Sequence, residues 1–123
     1  MKKIAIIGSV HFDGWEALKK RNFEIFEIKD LSEHNLIKEL KSVDGIGLRT
    51  AKLTKKVMKE CPNLKIVARH GVGYDNVDLD YINSQKIALA VTGTANAVSV
   101  AEHVMTMFLC LIKQINQSDK LTR

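Results

Sequence analysis

The stretch Leu64-Lys65-Ile66-Val67-Ala68-Arg69-His70-Gly71-Val72-Gly73-Tyr74-Asp75-Asn76-Val77-Asp78 decides the fold of this chain of 123 residues. Its opening residues, Leu64 to Ala68, are an apolar run that reads as a buried strand. Gly71 and Gly73 then let the backbone take positive φ and turn its N–H groups outward. Asp78 comes next, as a cap for a helix through Gln85. In an open parallel sheet, a loop at the carboxyl end of a strand is where an anionic ligand sits. The spacing of this loop therefore points to a small carboxylate.

Outward from this stretch the same alternation repeats. Residues 3–8 read Lys-Ile-Ala-Ile-Ile-Gly, a buried strand closed by glycine. Trp15 and Leu18 sit at helical spacing within 13–21. Residues 23–29 alternate apolar and charged, as a half-buried strand near an edge does. Ser32 caps a helix through 41 on the stripe Leu36, Ile37 and Leu40. Residues 45–49 make a short strand. Thr54 caps a helix that Pro62 stops, and 87–92 form the fifth strand. Five strands alternating with helices predict an α/β fold: a flavodoxin-like parallel sheet, order 2-1-3-4-5, with helices on both faces.

The last segment differs. Ser99-Val100-Ala101-Glu102 reads as a capping box. The helix it opens is apolar around most of its circumference, from Val104 and Met105 through Phe108, Leu109 and Ile112 to Ile115. A helix lying on one sheet needs one apolar stripe. This one asks for a second surface, a further domain or another subunit. The expected division is a domain over 1–98 and a linking helix over 99–123.

Composition narrows the function. The chain is 46% hydrophobic and 27% charged, and its charge of +5 comes from scattered lysines. The cluster Lys52, Lys55, Lys56 and Lys59 lacks interleaved aromatics and reads as a solvated helix face, which argues against nucleic acid. Cys61 and Cys110 belong to no Cys-x-x-Cys pair, so neither a disulfide framework nor a metal site is expected, and a reducing cytoplasmic setting is. Cys110 is expected in the core. No run approaches the roughly 18 apolar residues of a membrane helix.

The residues just past the carboxyl end of each strand share one rim: Ser9 and His11, Arg49 and Thr50, His70 to Tyr74, and Thr92 to Asn96. Arg49 offers a planar fork for a carboxylate, weighed equally against a salt bridge to a helix carboxylate. Val72 and Gly73 offer N–H groups. Asn96 can hydrogen-bond a carbonyl oxygen or simply cap a helix. His70 and His11 have no evident orienting carboxylate and read as structural, and His103, after Glu102, reads as a helix-face histidine at an interface. The loop also lacks a dinucleotide fingerprint, because Asn76 stands where Gly-x-Gly-x-x-Gly needs its third glycine, and Gly8-Ser9-Val10 has no second glycine.

The run from Leu64 to Asp78, together with the later Asn96-Ala97-Val98-Ser99-Val100-Ala101-Glu102-His103, resembles the D-isomer-specific 2-hydroxyacid dehydrogenases, phosphoglycerate and formate dehydrogenase-like branches above all. The resemblance spans essentially the whole chain. It implies a substrate domain of an NAD- or NADP-dependent oxidoreductase. Val72 and Gly73 would bind the substrate carboxylate, Arg49 would lie on the substrate side, and Asn96 would position the reacting carbonyl. Val72 and Val100 would lie near the cofactor, and the helix over 99–116 would help form a homodimer. The family's catalytic Arg, Glu and His would fall beyond Arg123, so no catalytic residue is expected here and the chain alone is expected to be inactive. Val91-Thr92-Gly93 departs from the family's Asn-Thr-Pro. The family's corepressor branch implies an alternative, a non-enzymatic interaction domain.

Overall fold

The computed structural model describes residues 1–123, which fall into two compact units, Met1–Gly93 and Thr94–Arg123. In the first, β1 (Lys3–Ile7), β2 (Glu24–Ile28), β3 (Gly45–Leu48), β4 (Ile66–Arg69) and β5 (Ala88–Val91) form one parallel sheet in the order β2-β1-β3-β4-β5. The helices α1 (Phe12–Lys19), α2 (Glu33–Glu39), α3 (Lys55–Lys59) and α4 (Leu79–Gln85) connect them. The predicted strand order and fold class are observed.

The topology dictates which face each helix covers. The step from β1 to β2 runs one way along the sheet, and the later steps run the other. Right-handed crossovers therefore place α1 on one face and α2, α3 and α4 on the opposite one. Packing agrees. Ala5, Ile7, Ile46, Leu48 and Val67 point into a closed core with Leu36 and Leu40 of α2, Val57 and Met58 of α3, and Ile82 of α4. Alternation sends Ile6, Gly47, Ala68 and Ala90 to the other side, where Gly14 and Leu18 of α1 border them. One helix does not span five strands, so Ile66, Ala68, Ala88 and Ala90 stay exposed. Helices do lie on both faces, but unequally.

Local signals set the boundaries. Ser32, Thr54 and Asp78 each accept a hydrogen bond from a backbone N–H of the first turn they cap, as their sequence positions predict. Lys86 ends α4 in the left-handed region at φ 55°. Asp44 joins the amino ends of β1 and β3, accepting from Lys2 Nζ at 2.7 Å and from the Lys3 N–H at 2.9 Å. These donors hold the Asp44 carboxyl below its ordinary pKa.

The second unit holds α5 (Ala97–Ile112) and α6 (Ile115–Thr122), which meet at a bend of 55°. Three expectations are corrected. Ser99 does not cap α5. The helix starts at Ala97, because Thr94 closes a turn onto the Ala97 N–H and the Asn96 carbonyl accepts from Val100. The apolar helix also does not run on to Ile115, since Gln114 turns to φ 48° and breaks it. Finally, none of α5 is buried, so Cys110 is half-buried and not core. No single helix is long and apolar enough to cross a membrane.

Candidate functional site

The carboxyl ends of the strands gather one polar rim in the first unit. β1 and β3 are neighbours whose following helices leave toward opposite faces, which makes the crevice between them the sheet's switch point. Arg49 stands at its mouth. Its N–H extends the ladder to the Ile7 carbonyl at 3.1 Å. Its Nη1 crosses to the β1 side, donating to the Ser9 carbonyl at 3.3 Å and to Ser9 Oγ at 3.2 Å. Arg49 is exposed and bridges to no carboxylate, so the helix salt bridge weighed from sequence does not occur.

Gly8 makes this approach possible. Its φ is +89°, and an added Cβ would lie 3.1 Å from Arg49 Cβ. The corner after β1 therefore runs against the stem of the arginine.

The loop after β4 completes the rim. The His70 N–H donates to the Leu48 carbonyl at 2.7 Å, and the Thr92 N–H donates to the Gly71 carbonyl at 3.2 Å, so the loop is tied to both neighbours. Gly71 takes φ +147°, whereas Gly73 does not enter the left-handed region. One glycine, not two, thus makes the turn. Val72 and Gly73 are exposed, and their N–H groups make no backbone hydrogen bond outside the regular elements. They are free donors beside Arg49's strand.

Arg69 is a rim residue that the strand pattern hid. It closes β4 opposite Leu48, and its guanidinium donates to the His70 carbonyl. Its Nε is buried without a partner. An arginine as the last letter of an apolar strand was the available signal. Two guanidinium groups and two free amides make the rim an acceptor for oxyanions.

A dinucleotide fits this loop poorly. At the third-glycine position, the Asn76 side chain donates to the Ala51 carbonyl at 2.7 Å and pins the loop to the segment after β3. The next helix starts only at Leu79, so no helix N-terminus opens on the glycines. No group of three or more His, Cys, Asp or Glu residues forms a metal site. Asn96 and Val100 belong to the second unit. Asn96 occupies the N-cap position of α5 without a capping bond from its side chain, and Val100 is exposed on that helix.

The sheet and its helices define an α/β domain, and comparison with known proteins gives the class. The chain belongs to the D-isomer specific 2-hydroxyacid dehydrogenase family, whose catalytic-domain model matches residues 4–117. Among its relatives, the D-3-phosphoglycerate dehydrogenase of Sus scrofa is 34% identical over 119 residues, 96% of this chain and 22% of that protein. The NAD-dependent formate dehydrogenase of Staphylococcus aureus, solved with NAD, superposes with a TM-score of 0.82 at 27% identity over 99% of this chain and 41% of that one. The D-lactate dehydrogenase of Aquifex aeolicus, solved with NAD and lactic acid, gives 0.79 at 27% identity over 95% of this chain and 36% of that one. The chain thus spans well under half the length of these relatives.

Proposed function

We propose that residues 1–123 form the substrate-binding part of an NAD- or NADP-dependent 2-hydroxyacid dehydrogenase. The observation that carries this is the pairing of Arg49 with the free Val72 and Gly73 amides on one rim that lacks a pyrophosphate turn. The substrate carboxylate lies on these amides, with the Arg49 fork on its flank. Backbone donors suit this role because they are fixed by the fold and cost no side-chain ordering on binding. Arg69 adds cationic charge at the same strand ends. A second anionic group on the substrate, as in a 3-phosphoglycerate-type acid, would meet it there.

Asn96 is assigned to the reacting carbonyl, and Val72 and Val100 to the neighbourhood of the nicotinamide, on family resemblance. The cofactor supplies hydride chemistry. The residues that cradle it, and those that move the proton, are not among 1–123. The uncovered apolar surface of α5 is the surface through which the protein pairs as a homodimer.

Amide chemical shifts of residues 1–123, titrated with glyoxylate, test the reading. Movement centred on Val72 and Gly73 is expected, and lost in Arg49→Gln. A uniform response, or none, refutes it. Incubated with NADH and glyoxylate, pyruvate or hydroxypyruvate, the chain alone is expected to oxidise no NADH.

A further inference from the structure

The sheet face that α1 only partly covers has a low floor. Ile6, Gly47, Ala68 and Ala90 lie in register across β1, β3, β4 and β5. With Gly14 and Leu18 of α1 they line one apolar groove. A Cβ added to Gly47 would lie 2.7 Å from Ile6 Cδ1, so the glycine keeps the floor flat there. Ala68 and Ala90 are exposed. Three adjacent strands thus offer at most one side-chain carbon each, lower than Ile6 and Leu18 beside them. Close packing over such a strip takes large apolar side chains from outside.

Helix α5 carries such side chains in excess. At 3.6 residues per turn, Val98, Met105, Leu109 and Ile112 form one seam. Val100, Val104, Met107 and Leu111 form another, with Phe108 between the two. All are exposed. One partner surface takes one such stripe, so pairing α5 with α5 in a homodimer leaves a seam uncovered. The run from Val104 to Ile112 holds no charged residue. It is about 14 Å long at about 1.5 Å per residue. The four-residue strands β4 and β5 are about 13 Å long at about 3.3 Å per residue, so helix run and strip match in length.

We propose that α5 of one copy lies on this open sheet face of a second copy, and that the exchange is reciprocal. This rests on the homodimer reading of α5 and says what its second seam meets. Area favours it. Two 16-residue helices side by side, each about 24 Å by about 10 Å, hide about 500 Å² in all, about half of the roughly 1,000 Å² of a stable interface. Two seats of about 14 Å by about 10 Å, hidden on both helix and sheet, bring the total to about 1,000 Å². The reciprocal exchange also closes as a two-fold pair and leaves neither surface free. Diluted below its dissociation constant, the pair separates and the strip is bare.

Methyl contacts in a mixed sample test this. Isotope-labelled and unlabelled chains are combined, and nuclear Overhauser effects are selected between copies. Contacts from Ala68 and Ala90 to Met105, Met107 or Phe108 are expected, with a dimer in sedimentation equilibrium. Ala68→Glu and Ala90→Glu each put a carboxylate at an exposed position of the strip, and each is expected to weaken the dimer by about tenfold or more. Where a variant does not fold, the contacts in the unsubstituted chain decide. A dimer whose copies touch only through α5, or whose affinity ignores both substitutions, overturns the proposal and leaves the homodimer reading intact. The same contacts found within a copy and not between copies overturn it too. A monomer at the concentration of the measurement overturns both.

Discussion

Arg49 is tied to Ser9 across the switch point of the sheet, its Nη1 donating to both the carbonyl and the hydroxyl of that residue. The strap orients one edge of the guanidinium and leaves the other free for a carboxylate. Arg49→Lys keeps the charge and loses the fork. Charge-assisted bonds to carboxylates exceed neutral ones, so glyoxylate affinity should fall by about tenfold or more. Titration of the Val72 and Gly73 amides measures it.

Gly8 is where this strap constrains the backbone. Gly8→Ala places a Cβ at φ +89° and 3.1 Å from Arg49 Cβ. The expected cost is on the order of 1–3 kcal/mol, the usual cost of a strained backbone position. Urea unfolding of the chain reads it. The same substitution should weaken glyoxylate binding, because the corner must move away from Arg49.

Lys86 offers the opposite experiment. It holds φ 55° at the end of α4, where its Cβ is penalised and glycine is not. Lys86→Gly is expected to stabilise the chain by about 1 kcal/mol. It touches nothing on the rim, so ligand titrations should be unaffected.

The two thiols should separate by reactivity. Burial pushes the Cys61 thiol up to about 11, and Cys61 donates to the Val57 carbonyl at 3.3 Å. Cys110 is half-buried on α5. At pH 8 a thiol reagent should label Cys110 promptly and Cys61 only as the first unit unfolds. Mass spectrometry of quenched samples distinguishes them.

Asp44 contributes to the acid limb of stability, as do Asp30 and Glu33, whose carboxyls are also held below their ordinary values. The Asp44 carboxyl is held below the ordinary range chiefly by the Lys2 hydrogen bond and then by the Lys3 N–H. A lowered folded-state pKa contributes stability that is complete above the unfolded carboxylate value and lost as pH falls through the folded one. Asp44→Asn should therefore flatten the decline in melting temperature between neutral and acid pH.

Much of the fold was legible because burial writes itself into the strands. Ala5, Ile7, Ile46, Leu48 and Val67 have to be apolar wherever α2, α3 and α4 cover them. The caps Ser32, Thr54 and Asp78 were legible because short polar side chains before apolar stripes have one local use. The start of α5 was not. Ser99 and Glu102 make a plausible cap on paper, but the turn at Thr94 had already set the backbone, and propensity yields to such a neighbour. The second glycine of the loop misled in the same way, since a glycine permits positive φ without requiring it. Of the candidate site, Arg49, Val72 and Gly73 share the rim, while Asn96 and Val100 fall in the second unit. Arg69 escaped notice because a strand's last residue is read for burial before charge.

The half-bare sheet bears on calorimetry. Strands β4 and β5 hide one side only, and Ile66, Ala68, Ala88 and Ala90 are wet in the native state already. The heat-capacity increment and the denaturant slope both scale with the apolar surface that unfolding newly exposes. Both should fall below the values usual for a chain of this length, although the side under α2, α3 and α4 is closed. A shallow unfolding curve here would measure missing cover, not a molten interior.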